Sequence, residues 1–367
     1  MSKARELAEL GGAYNDAALS NRNVIVNGAM QVAQRGTSFA SVGNVYTLDR
    51  FQMYKQNSGV AFTVTQSSVT DLEGFANALK VDCTTADTSL ASNEQGYVSY
   101  FAEGQDCQRL KKGHGSDAVP TTLSFYVKTN KTGLYTVTMF DRDNTRKVNG
   151  SYTVADTGWN RYTISFPADT TGKFDDDNAS SLEIFFNLYA GADTNTGTLS
   201  ETWAASADAG STTGQVNFAD STSNDWEITG VQFETGSEAT PFEHRSFGDE
   251  LLRCQRYYYE HISADSGTKY IGMGDMYTST QLDLEVNLPV PMRTAPTLVA
   301  TSGTNYYRGY GSGTGGGYVS GAWSLWYVNS ANTVVSHYAT SGSMTAGHAM
   351  RIISNDTSAA IAYDAEL

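Results

Sequence analysis

The chain has 367 residues, 40% of them apolar and only 17% charged, and it carries a net charge of −15. That composition supports sizeable hydrophobic cores and excludes a disordered chain, while the acidic balance argues against nucleic acid or anionic membrane surfaces as partners. The 35 Gly, 6 Pro and 22 Tyr fit many short strands joined by turns and disfavour a helical bundle.

No apolar run reaches the length of a membrane span, so no membrane insertion is expected. The opening MSKARELAELGG lacks the apolar stretch of a secretory signal. The three cysteines, Cys83, Cys107 and Cys254, cannot all pair, and none lies in a CxxC motif. Neither a disulfide framework nor a zinc framework is expected, and folding in a reducing cytoplasm is the simplest reading.

Residues 3–10 are strong helix formers, with Ser2 as N-cap and Gly11-Gly12 as a stop. A helix this short is marginal alone and needs a partner. Residues 13–22 read as a polar linker. From Asn23 onward short alternating segments recur at 60–66, 95–101, 121–129, 133–140, 160–166, 181–189 and 225–234. Strands at this frequency predict a β-sandwich or jelly roll. Leu123, Phe125 and Val127 fall on one face and are expected in the core. In the segment 225–234, Trp226 and Ile228 have the opposite parity to Val231 and Phe233. A bulge at Gly230 would bring all four to the core.

Residues 246–256 switch to a helical pattern, opened by Ser246 and Asp249 and closed by Arg253 and Arg256. This is a connector, and the Tyr257-Tyr258-Tyr259 run behind it is expected to pack the domains or sister chains together. Strands then return near 268–273, 281–288, 297–301, 323–328, 333–338 and 349–353. GYGSGTGGGY at 309–318 reads as a mobile Gly-rich loop, with neither the Lys-Ser/Thr nor the following helix of a phosphate-binding loop. The expected fold is all-β: a jelly-roll sandwich, a connector helix and a smaller C-terminal β domain, preceded by a short N-terminal helix. The expected boundaries are 1–22, 23–245, 246–259 and 260–367.

Catalytic motifs are missing. The five His have no metal-ligand spacing, and no GxSxG elbow exists, so no enzyme is expected. Asp175, Asp176 and Asp177 could offer oxygen ligands to a structural Ca²⁺, although their spacing is not that of an EF-hand and a solvated acidic turn is the plainer reading. No other cofactor is implied. Aromatics outside the strand pattern are the stronger signal, because sugar rings stack on Trp and Tyr. The candidates for carbohydrate binding are Trp203, in a polar loop, and Tyr306, Tyr307, Tyr310 and Tyr318 around the Gly-rich segment. Trp323 and Tyr327 read better as core.

Several strings resemble a family of phage virion proteins, chiefly tail-fibre and tail-tip proteins: NVIVNGAMQVAQRGTSF (23–39), YTLDRF (46–51), LSFYVK (123–128), ITGVQFETGSEATPFEHRSFGDELLRCQRYYY (228–259) and LPVPMRTAPT (288–297). INGxM-like and GVQxExGxxATPFE strings are also similar to the boundaries of jelly-roll carbohydrate-binding modules. The resemblance covers the first two-thirds of the chain. It implies a virion protein folded in the bacterial cytoplasm, usually trimeric, that attaches to a bacterial surface glycan, with residues 1–22 docking on other virion proteins. An architectural capsid decoration or head fibre, and a polysaccharide depolymerase, are the alternatives. None of these strings is a ligand motif.

Overall fold

The computed structural model describes Lys3 and residues 21–56, 59–264, 268–303, 306–311, 314–319, 323–330, 333–339 and 344–367; side chains are described except in 314–319, 327–330 and 333–339. The expected N-terminal helix lies outside the described residues. The chain divides into two compact units after Glu250, within the helix Phe247–Gln255. That helix begins as the sequence predicts: the Ser246 hydroxyl donates to Asp249 Oδ2 at 2.8 Å and accepts from the Asp249 amide.

The first unit is all-β. Its strands are β1 (Ser38–Val42), β2 (Val45–Tyr46), β3 (Phe51–Gln56), β4 (Ala61–Ser68), β5 (Asn77–Thr85), β6 (Gln95–Glu103), β7 (Thr121–Thr129), β8 (Gly133–Asp141), β9 (Arg146–Val154), β10 (Asn160–Phe166), β11 (Ser180–Ala190), β12 (Ala204–Ala205) and β13 (Asp225–Thr235). A six-stranded sheet runs β1-β4-β5-β13-β7-β10, and a seven-stranded sheet runs β12-β9-β8-β11-β6-β3-β2. Between β5 and β13 the chain changes sheet at every connection except β8–β9 and β11–β12. Such repeated crossing is jelly-roll connectivity.

Alternation explains the packing. Leu123, Phe125 and Val127 of β7 are fully buried and meet Leu182, Ile184 and Phe186 of β11 in one core, where Phe125 stands edge-on to Phe186 at 5.2 Å. The parity conflict in β13 resolves at Gly230. Its φ is +62°, the register against β7 shifts between Thr229 and Gln232, and Trp226, Ile228, Val231 and Phe233 are all buried. The three cysteines are buried.

The strand-like start of the domain is sewn to its end. Asn23 accepts from the amides of Ile25 and Phe233 and donates to the Val231 carbonyl, while the Val24 amide donates to the Phe233 carbonyl at 3.0 Å. Asn27 bridges Val32 and Asp49 through its side chain, and its amide donates to Glu250. Arg22 already belongs to this seam: it donates to the Pro241 carbonyl and pairs with Glu234, so the linker expected over 13–22 gives way to the sandwich before its predicted end.

The second unit holds β14 (Tyr258–Ile262), β15 (Tyr270–Met276), β16 (Gln281–Asn287), β17 (Thr297–Ala300), β18 (Tyr307–Gly311), β19 (Thr314–Val319), β20 (Ser324–Ser330), β21 (Thr333–Ala339), β22 (Ala349–Ser354) and β23 (Ile361–Asp364). A small sheet, β14-β23-β17, and a long one, β19-β18-β22-β15-β16-β21-β20, enclose a core of Ile271, Met276, Leu282, Leu284, Met350, Ile352 and Tyr363. Tyr259 stacks on Tyr363 (6.3 Å, 11°) inside this unit. The Gly-rich segment expected to be a mobile loop contributes two paired strands, β18 and β19, to the long sheet. In β18 a Cβ on Gly309 would lie 3.0 Å from Met350 Cε, and in β15 glycine is required by close approach, since a Cβ on Gly274 would lie 1.9 Å from the Asp283 carbonyl oxygen.

Candidate functional site

The outward face of the seven-stranded sandwich sheet is built by strand register. Tyr54 of β3 pairs with Tyr97 of β6, and Tyr97 with Asn187 of β11. In the next row Gln52 pairs with Ser99, Ser99 with Phe185, Phe185 with Thr138 and Thr138 with Asn149. A third row brings Phe101, Glu183, Phe140 and Lys147 together. This face is therefore aromatic over β3, β6 and β11 and polar over β11, β8 and β9.

A loop between β11 and β13 covers the polar half. Gln215 accepts from the Thr136 amide and hydroxyl and donates to the Asn187 carbonyl at 2.9 Å. Asn149 donates to the carbonyls of Ser200 and Gly210, and Lys147 donates to Ser211 Oγ. Buried polar groups demand such partners, and here the loop supplies them.

The aromatic half stays half-exposed. Tyr54 and Tyr97 stack at 4.7 Å and 13°, and Tyr97 and Phe185 at 4.5 Å and 29°. Neighbouring strands lie about 4.8 Å apart, so side chains standing upright on adjacent strands fall naturally into a ladder. Its polar flanks are Gln52, Gln56 and Gln95, with Gln95 donating to Gln56 Oε1 at 2.8 Å, and the Glu183–Arg142 pair at 3.0 Å. Burial raises the Glu183 carboxyl above the ordinary glutamate range, and Arg142 opposes that only in part. Burial also pushes the Tyr97 phenol well up, so it stays a neutral donor across the working range of pH.

Of the residues expected from sequence to bind carbohydrate, Trp203 belongs to the first unit and the four tyrosines to the second. Trp203 packs half-buried against the sandwich core, its indole N–H donating to the Pro167 carbonyl at 3.1 Å. Its ring lies 5.1 Å from Lys112 Nζ. Lys112 is itself clamped by Asp141 and Asp169, and Arg146 holds Asp169 with two bonds of 2.9 Å, so Trp203 caps a buried ion cluster. Tyr307 is fully buried, donates to the carbonyls of Thr301 and Ala360, and stands edge-on to Trp323. Its alternate-face position in β18 turns it into the core, which corrects the expectation of a surface residue. Tyr306 is half-buried against the same core. Tyr310, on the opposite face of β18, is 38% exposed. Tyr318 pairs in register with Arg308, and its side chain lies outside the described residues.

Asp175, Asp176 and Asp177 are exposed. Asp177 accepts from the Ala179 amide in a local turn, and the Asp175 amide donates to Asp143. Among the described residues no three acidic, His or Cys side chains are placed to hold an ion. No helix among them is long and apolar enough to cross a membrane.

Fold and faces together define an all-β protein, a jelly-roll sandwich joined to a smaller β unit. No family model matches the chain, and no curated relative matches it. Among solved structures it is similar to the enzymatically active domain of tailspike protein 4 of bacteriophage CBA120 (12% identity, TM-score 0.32), covering 58% of this chain and 21% of that one. The chain thus spans about a fifth of that domain's length. It is also similar to a family 11 carbohydrate-binding module of a Clostridium thermocellum cellulosomal cellulase (12% identity, TM-score 0.29; 55% of this chain, 96% of that one). A third is a xylan-binding domain from Paenibacillus barcinonensis (13% identity, TM-score 0.27; 55% and 95%).

Proposed function

We propose that this chain is a phage virion attachment protein whose sandwich binds a bacterial surface glycan along the Tyr54–Tyr97–Phe185 ladder. The observation that carries the reading is the combination on one uncovered half-sheet of stacked aromatic rings with amides, phenol hydroxyls and a carboxylate–guanidinium pair. Apolar ring surface takes the C–H face of a sugar, and the flanking groups satisfy its hydroxyls. The virion role rests on the resemblance of the strings at 23–39 and 228–259 to tail-fibre proteins. On this reading the protein works as a homotrimer, anchored to other virion proteins through residues 1–22, and avidity multiplies a weak single-site affinity by about 10²–10⁴. It binds without cleaving.

The test is binding of the intact protein to an array of bacterial surface oligosaccharides. Tyr97→Ala should weaken the glycan selected by the wild type about tenfold with its thermal transition retained, and Tyr54→Ala should weaken it in the same direction. Undiminished binding by both variants overturns the site. Release of shorter saccharides from purified host polysaccharide overturns the non-catalytic reading.

A further inference from the structure

The outer face of the long C-terminal sheet carries a second constellation, separate from the sandwich ladder. Tyr310 of β18, Arg351 of β22 and Met273 of β15 lie in one cross-strand row. Met273 is 57% exposed and Tyr270, one row further along β15, is 56% exposed. The Arg308 guanidinium sits 4.4 Å over the Tyr310 ring. Arg351 is exposed and makes no hydrogen bond or ion pair among the described residues. Met273, Tyr310 and Arg351, with Gly311, Ala349 and Ile353, line an open groove of about 570 Å³, within the size range of small-molecule sites. Gly309 and Gly274, between these outward residues, face the core, where Met350 and Ile352 approach them closely.

We infer that this groove binds an acidic saccharide, a uronate-type sugar bearing a carboxylate. Two guanidiniums in adjacent rows are a local exception on a chain of net charge −15. A guanidinium fork matches a carboxylate geometrically and stays charged at any working pH. Tyr310 and Met273 supply the apolar surface against which a pyranose ring packs. Asp275, exposed on the same face opposite Ala349, and Asp283 beyond it, close the acidic end of the strip. A carboxylate there accepts from sugar hydroxyls, which the side chains of an acidic peptide do not offer, and this favours a saccharide. Beyond about 8 Å the field of the Arg residues is screened at physiological salt, so recognition rests on the carboxylate that touches the guanidinium directly. A second copy stacked on this face about a twofold axis would set the Arg308 and Arg351 pairs against each other, so self-association fits it less well.

The experiment is calorimetric titration of the full chain with hexamannuronate, with neutral laminarihexaose and with hexaglutamate. Hexamannuronate should bind, and its affinity should fall as NaCl rises from 50 to 300 mM. Arg351→Gln should weaken it about tenfold, and Arg351→Lys, which keeps the charge but loses the fork, by less. Tyr97→Ala should leave it unchanged, so this inference and the sandwich site fail separately. Four results overturn it: no binding of hexamannuronate at millimolar concentration, equal binding of laminarihexaose or hexaglutamate, wild-type affinity in Arg351→Gln, or a fall in particle mass of that variant by light scattering, which would mark the face as an interface between copies.

Discussion

Buried side-chain amides explain why short polar strings stand out in this sequence. Asn23, Asn27 and Gln232 each satisfy backbone groups that no sheet ladder reaches. Gln232 donates to Glu234 at 2.8 Å and accepts from the Glu243 amide, Thr240 donates to both Glu234 oxygens, and Glu243 accepts from the Asn23 amide. The strings at 23–39 and 228–259 thus meet in a structural seam closing the domain on itself. Glu183 is the contrasting case, a buried carboxylate facing the proposed glycan surface with one exposed partner. Its carboxyl is raised by burial. A raised acid binds its proton more tightly in the folded state, so its stabilising contribution is full below the ordinary glutamate value near 4.3 and is lost as pH rises through the folded value. Glu183→Gln removes the buried charge and keeps an acceptor for Arg142. The variant should therefore melt about 1–3 °C above wild type at pH 7, and the two curves should converge below pH 4. A variant that melts lower than wild type at pH 7 would show that the Arg142 pair outweighs the burial cost.

At the level of elements, Gly230 is the position where one residue decides a strand. Its left-handed φ lets β13 bury residues of both parities, and a Cβ would lie 2.7 Å from Phe75 Cζ and 2.8 Å from Tyr126 Cδ2. Gly230→Ala combines left-handed strain with overpacking and should cost about 2–4 kcal/mol in denaturant unfolding. Gly59→Ala, where a Cβ would meet nothing within 4 Å, serves as the neutral control. The bulge was legible because four large apolar residues with conflicting parity admit few other solutions. Elsewhere the pattern misled. β5 and β9 escaped notice because Lys80 and Asp82, or Asn149 and Ser151, break the apolar run, and the loop that satisfies Asn149 lies about sixty residues further along. β18 and β19 read as a loop because glycine signals a turn, whereas here it makes room for Met350. The Tyr54–Tyr97–Phe185 ladder was hidden for the opposite reason. In QGYVSYF both faces are apolar, so alternation cannot tell the outward Tyr97 and Phe101 from the inward Val98 and Tyr100. Only the register with β3 and β11 reveals the stack.

Across the whole molecule each unit carries its own core, and the seam that closes the sandwich begins at Asn21 and Arg22. The Asn21 carbonyl accepts from Arg109, Arg22 reaches Pro241 and Glu234, and Asn23 ties Val231, Phe233 and Glu243. Deleting residues 2–20 leaves every one of these bonds in place. A helix as short as the one the sequence predicts over 3–10 contributes little by itself, since isolated helices below about 12–15 residues are marginal in water. Its charge order, with Lys3 and Arg5 ahead of Glu6 and Glu9, also opposes the helix dipole. The truncated chain should therefore melt within about 1–2 °C of the full one; on the function proposed above it should also keep its glycan affinity and the particle mass of the full chain in light scattering, yet fail to enter virions in a complementation assay. A melting temperature lowered by many degrees would show that the segment belongs to the sandwich core. A fall in particle mass would show that the segment holds copies of the chain together, and normal incorporation into virions would overturn the proposed anchoring role.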